Sequence, residues 1–336
     1  MSNLKRILLK KEVCKSIWFM RQAGRYLPEF REIRSKNKDF IKLCLNSKLS
    51  SDITLQPIKR FNLDSAIIFS DILLVPYALG QNITFTKKLG PKLDKFNLET
   101  FLDISEDQFI KTLNPVYKTI EITRKKLNKD KSLICFIGAP WTLLVYMLNL
   151  KNSNDNLVLS EFKKLNDQIQ KILKKLEKFL CIHIQNQIEA GADVVQIFDS
   201  WAGIIPETHL KDLCFNTNFE IVDFCRSKKI PNICFPKGIR DKYNEFNKFV
   251  KPDGINIDND IDPFWAKTNL KNVVIQGGLN PKILLDKEDK MIQAATKYIQ
   301  TFKDMPYVFN LGHGLLPETD PDRVEKLIKF YRNYNG

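Results

Sequence analysis

Arg21, Arg25, Arg31 and Arg34 crowd residues 18–34, directly after a short apolar run, and Gly24 and Pro28 turn the backbone between them. A guanidinium is a rigid fork that meets a carboxylate through two parallel hydrogen bonds. Several forks on one loop suit a ligand that carries many carboxylates. A single arginine near a helix start is usually solvated surface charge, and that plainer reading stands beside the binding loop. Arg34 lies farther along, on the helix that Pro28 opens, and ranks behind the others.

Asp71 is the complementary signal. Between Ser65 and Thr86 it is the only ionisable group besides Tyr77, and Ile67, Ile68, Phe69, Ile72, Leu73 and Leu74 surround it. A carboxylate in such company is costly unless paired, protonated or turned to a ligand. It could equally cap a helix over residues 72–79, with Ser70 competing for that place.

Three further residues occupy loop positions where chemistry is possible. Tyr146 offers a phenol hydroxyl or a core ring with a bonded tip. Ser200 could donate to a carboxylate or cap a helix. His313 sits between Gly312 and Gly314, which let the backbone approach a ligand closely. The three histidines form no metal-binding spacing, and no dinucleotide fingerprint, phosphate loop or nucleophile elbow occurs.

The elements that must hold these residues form a regular series. Eight apolar runs of strand length fall at 17–20, 65–69, 133–137, 194–198, 232–235, 254–257, 273–276 and 307–310, each followed by a loop and a helical pattern. Asp193-Val194-Val195-Gln196-Ile197-Phe198 lacks polar alternation, as a strand covered on both faces would. Apolar residues from Phe162 through Leu165 and Leu173 to Ile188 step by three or four, and Gly191 follows where a helix would stop. Asp320-Pro321-Asp322 marks the start of a last helix. The alternation points to one (β/α)8 TIM barrel over residues 1–336, with a doubly wound open sheet as the runner-up. In a barrel, Arg21, Asp71, residues 140–146, Ser200 and His313 all follow strands and gather at one rim. The long connection from Asp71 to Leu98 holds a small extra hairpin at residues 83–86.

Composition sets the outer bounds. The 336 residues have 43% hydrophobic and 27% charged content, as a soluble globular chain does. With 53 Lys+Arg against 39 Asp+Glu the net charge is +14, favouring anionic partners. Much of the excess is lysine on helical faces, such as Lys171, Lys174, Lys175 and Lys178. No basic patch interleaved with aromatics suggests nucleic acid. Seven scattered cysteines without a Cys-x-x-Cys pair fit reduced thiols in the cytoplasm. Residues 132–150 carry no charge over about the length of a membrane span, but Gly138-Ala139-Pro140 interrupts them, and no span is expected. The N-terminal fifteen residues show no secretory signal.

Arg21-Gln22-Ala23-Gly24-Arg25, Ile68-Phe69-Ser70-Asp71-Ile72, residues 139–147, 196–203 and 310–317 closely resemble the motifs of the uroporphyrinogen decarboxylase family. The resemblance extends from about Ile17 to the last helix. It implies a homodimeric single-domain barrel that removes the carboxyls of four acetate arms from uroporphyrinogen III, giving coproporphyrinogen III, without metal or organic cofactor. It implies a substrate-binding set of Arg21, Gln22, Ala23, Gly24, Arg25, Asp71, Tyr146, Ser200 and His313, with Asp71 and Arg21 catalytic. Arg21, a water or Asp71 itself could deliver the proton. Two places depart from the family pattern: Gly277-Gly278-Leu279-Asn280-Pro281 replaces Gly-Asn-Leu-Asp-Pro, and residues 86–91 hold only one of the usual glycines. The rival readings are a corrinoid-linked methyltransferase, whose zinc-binding His-x-Cys is missing here, and a non-catalytic porphyrin binder.

Overall fold

The computed structural model describes residues 1–86, 90–164 and 166–334. Strand β1 (Ser65–Ile67) comes first, and β2 (Ile83–Thr86) and β3 (Gly90–Leu93) form a separate antiparallel hairpin. This is the hairpin expected in the long connection; residues 87–89 lie outside the described residues. The main series continues with β4 (Ser132–Gly138), β5 (Val194–Asp199), β6 (Asn232–Pro236), β7 (Gly254–Ile257), β8 (Val274–Gly277) and β9 (Tyr307–Val308). These join β1 in a curled, parallel sheet of seven strands, ordered β1-β4-β5-β6-β7-β8-β9. The order never reverses along the chain, whereas a doubly wound sheet turns back at its switch point.

Both faces of the sheet are covered. All five residues of β6 and all four of β8 are buried, as the unbroken apolar runs predict. Ile134, Val194, Ile233, Val274 and Val308 converge on the concave side with Trp18. The helix Asn3–Lys10 packs Leu4, Ile7 and Leu8 into the same cluster. Above it lies a buried polar layer: Trp18 Nε1 donates to Gln276 Oε1 (3.0 Å), and Gln276 Nε2 donates to Gln196 Oε1 (3.0 Å) and Asn256 Oδ1 (2.9 Å). Each donor has found an acceptor, as burial requires.

The expected strand at 17–20 is instead a single parallel bridge between Ile17 and Phe309. Side chains have taken the amides a longer strand would pair. Gln22 Oε1 accepts from Phe19 N (3.0 Å), and Asn310 Oδ1 accepts from Met20 N (3.2 Å). The backbone then turns at Arg21, whose φ is +60°.

Helices follow the predicted signals closely. The Phe162–Ile188 pattern becomes helices Leu159–Lys164 and Asn166–Glu189, with Leu165 outside the described residues. The last helix, Pro321–Asn333, is capped by Asp320, which accepts from Asp322 N at 2.9 Å. All seven cysteines are free thiols. No helix among the described residues is long and apolar enough to cross a membrane.

The Gly277–Pro281 departure is accommodated locally. Gly278 has φ +97°, and a Cβ there would lie 2.5 Å from the Tyr298 ring. Tyr298 fills that space and donates its hydroxyl to Gly278 O (2.7 Å). Asn280 still caps the following turn by accepting from Lys282 N (3.0 Å).

Candidate active site

Arg21 is built into place from several sides. Leu315 N donates to Met20 O (2.9 Å), Asn310 holds Met20 N, and Gln22 closes the turn on Phe19. The arginine stem then runs across Gly314, where a Cβ would stand 2.4 Å from Arg21 Cδ. Only glycine leaves that path open, so the loop after β9 cradles the side chain that the first loop presents.

Arg21 as a residue is exposed at the strand-exit rim, and its guanidinium forms no ion pair among the described residues. Surrounding protein pulls its pKa down, as does the like charge of Arg25, while Tyr146 and Asp71 act in the opposite direction. Arg25 is also exposed. Arg31 steadies its turn by donating to Arg25 O (2.9 Å) and Tyr26 O (2.8 Å).

Asp71 braces the turn that leaves β1. Its Oδ1 accepts from Leu73 N (2.8 Å), a local turn bond; the N-cap position of the helix Leu74–Ala78 is Leu73, not the expected Asp71 or Ser70. Burial nevertheless lifts the carboxyl to about 6, with the Leu73 hydrogen bond and Arg21 pulling the other way. No cation forms a salt bridge with it among the described residues. A carboxyl held this way is mostly ionised at neutral pH but takes up a proton more readily than an exposed aspartate.

Tyr146 projects from the helix Pro140–Met147 into the same field. Burial raises its pKa, Asp71 adds to the rise, and Arg21 opposes it. Its ring meets the edge of Trp201 at 5.9 Å, next to Ser200 at the exit of β5. Ser200 is half-buried. His313 lies across the rim, where burial, Arg21 and Lys237 depress its pKa to about 4. It is therefore a neutral imidazole at pH 7.

Arg21, Arg25, Asp71, Tyr146 and His313 thus share one electrostatic neighbourhood, with Ser200 beside it, and Ala23 and Gly24 shape the loop. Two expected residues are not brought in. The Gln22 amide is buried and fully bonded, to Phe19 N and to Ser65 O (3.0 Å), so it builds the turn and does not face the rim. Arg34 turns to the end of its own helix, donating to Asn37 O and lying 5.7 Å from the Phe40 ring centroid. Sequence reasoning missed Lys237, which follows β6 and whose charge reaches both His313 and Asp258. Its position at a strand exit was the available signal.

Fold and rim together define a parallel α/β protein that collects unpaired cations around one lifted carboxyl. The family model described as Uroporphyrinogen decarboxylase (URO-D) matches residues 2–334, and the chain belongs to that family. A protein of Orientia tsutsugamushi (strain Ikeda) named uroporphyrinogen decarboxylase is 42% identical, the match covering 95% of this chain and 94% of the relative. Proteins of the same name from Rickettsia bellii (strain RML369-C), 40% identical over 95% of this chain and 94% of theirs, and Cereibacter sphaeroides (strain ATCC 17025 / ATH 2.4.3), 35% identical over 94% of each, are also similar. Among solved structures, a methyltransferase from Methanosarcina mazei superposes with a TM-score of 0.80 over 99% of this chain and 98% of its own. At 15% identity that likeness concerns the fold alone. Among the described residues, no three His, Cys, Asp or Glu side chains group so as to hold a metal ion.

Proposed function

We propose that this protein decarboxylates the four acetate arms of uroporphyrinogen III, giving coproporphyrinogen III in tetrapyrrole synthesis. The observation that carries the reading is Asp71: a lifted, unpaired carboxyl at the same rim as Arg21 and Arg25. A proton adds to a ring carbon of the pyrrole and leaves the ring cationic. The bond to the departing carboxylate then breaks, its electron pair enters the ring system, and carbon dioxide leaves. A proton reaches the methylene carbon and the ring releases the first one, so each carbon dioxide is replaced by one proton. Asp71 faces the pyrrole N–H groups and stabilises the cationic ring, a preorganised charge aimed where charge develops. Arg21 and Arg25 orient the acid arms as forks, and Tyr146, Ser200 and neutral His313 complete the polar contacts.

The single domain closes as a (β/α)8 barrel through residues 16–18. That closure is supported by the Ile17–Phe309 bridge on one side and by Asp64 N donating to Ile17 O (3.1 Å) on the other. The polar layer linking Trp18 to β5, β7 and β8 supports it as well. Family resemblance supports a cytoplasmic homodimer, which sedimentation at two concentrations tests. The methyltransferase reading is weaker, because no His-x-Cys occurs in the chain.

The deciding experiment is incubation with the reduced octacarboxylate tetrapyrrole, following carboxyl loss by mass. Stepwise loss to the tetracarboxylate supports the proposal. Binding without loss of carbon dioxide replaces it with the porphyrin-binder reading.

A further inference from the structure

Asp199 ends β5 with its carboxylate fully buried and without a salt-bridge partner among the described residues. Every hydrogen bond it accepts comes from a neutral donor on a different segment. Thr142 Oγ1 donates to Oδ1 at 2.7 Å, and Asn218 Nδ2 donates to Oδ2 at 3.0 Å. The Cys214 thiol adds a third. Cys214 lies in a π-helical turn, Lys211–Phe215, and Asn218 also holds Cys214 O at 2.8 Å. Such a turn inserts an extra residue into a helix and is common next to functional sites; here it points the outer helix's donors at Asp199.

The other side of the carboxylate leads to the rim. Thr142 Oγ1, while donating to Asp199, accepts from Trp201 N at 3.1 Å. Trp141 Nε1 donates to Trp201 O (2.9 Å), and Ala139 N donates to Phe198 O (2.9 Å). The helix bearing Tyr146 and the turn bearing Ser200 are therefore joined at Thr142. Tyr146 lies one helical turn beyond Thr142, on the same face. Leaving a carboxylate buried without a cation is expensive. An apolar residue would avoid that cost but could not accept from both helices together.

We propose that Asp199 and Thr142 are positioning residues, which fix Ser200 and Tyr146 relative to each other so that both meet one substrate. The inference rests on the reading that those two side chains touch the tetrapyrrole. Thr142→Val removes the hydroxyl at nearly constant volume, and Thr142→Ser keeps it. Thr142→Val lowers kcat/KM about tenfold, and Thr142→Ser stays within about threefold of the parent. The decisive measurement places Ser200→Ala and Tyr146→Phe in each background. Each costs activity in the parent and in Thr142→Ser, but less than about twofold in Thr142→Val, where the geometry is already lost. Costs that multiply undiminished in Thr142→Val, or parental activity of Thr142→Val itself, overturn the positioning role. Parental activity of both Ser200→Ala and Tyr146→Phe alone instead overturns the substrate-contact reading, and the positioning role with it. Should Thr142→Val not fold, Asn218→Ala loosens the same carboxylate from the outer helix and carries the identical test.

Discussion

The two ends of the sheet treat charge in opposite ways. At the strand entrances three aspartates are locked in. Asp193, before β5, accepts from Arg124 (2.9 Å), from Lys5 (3.4 Å) and from Leu133 N (2.9 Å). Asp64, before β1, takes Arg332 (3.2 Å) and Ile17 N (2.8 Å). Asp253, before β7, takes both the backbone N (3.1 Å) and Nδ2 (2.9 Å) of Asn232. At the strand exits, Arg21, Arg25, Asp71 and Lys237 form no ion pairs among the described residues. The helix Asn3–Lys10 covers the first end with leucine and isoleucine. Residue type alone does not separate the two ends, since both carry arginine and aspartate. What separates them is unused hydrogen-bonding capacity, which costs stability and persists where a ligand completes it.

Asp71→Asn breaks the contrast most sharply. Turnover falls about 100-fold or more if the anion stabilises a cationic ring, while folding tightens. Because burial raises the carboxyl to about 6, the folded chain holds its proton where the unfolded chain releases it. That aspartate's contribution is fully present below about pH 4 and is lost as pH rises through about 6. Asparagine escapes the loss, so denaturant unfolding at pH 7.5 shows a gain of up to about 3 kcal/mol, vanishing in acid. Asp193→Ala does the reverse. It strips a half-buried pair and destabilises by about 3 kcal/mol, while the folded fraction keeps its kcat/KM. A stability loss from Asp71→Asn at pH 7.5 would erase the distinction between the ends.

Arg25→Ala comes next. An exposed fork that gains its partner only from substrate costs little to remove from the empty protein. Substrate affinity falls about tenfold, as for a charge-assisted hydrogen bond, and its dependence on ionic strength weakens. Titration at two salt concentrations measures both. Unchanged affinity would place Arg25 outside the clamp.

Much of this contrast is legible in the residues themselves. The alternation of apolar runs and helical periods identifies parallel strands buried on both faces, and one acid amid six apolar neighbours stands out as Asp71. What stays hidden is the use each polar group finds. Arg31 and Arg34 have the same forks as Arg21, yet backbone carbonyls accept from guanidinium as well as carboxylates do, and local geometry sends both there. Gln22 sits within the most recognisable motif and still faces inward. The helix Asn3–Lys10 escapes notice because lysines and an arginine interrupt its short apolar stripe. Asp199 is masked by its neighbour Ser200, since the donors it gathers come from residues 142, 214 and 218, distant in sequence.

His313 sharpens the comparison with the smallest effect. It belongs to the exit rim, but with its pKa held near 4 it brings no charge at pH 7. His313→Gln keeps a neutral polar side chain, so kcat/KM at pH 7 falls less than about threefold, one neutral hydrogen bond being the most at stake. Its signature is in stability. The unfolded chain binds a proton at about 6.5 that the folded imidazole refuses until about 4, so the parent loses stability as pH falls through that interval. The glutamine variant lacks that proton and its acid-unfolding curve is correspondingly flatter between those values. Were the variant instead to lose activity as Asp71→Asn does, with an unaltered acid curve, His313 would be charged in the folded protein and the rim would hold one more cation.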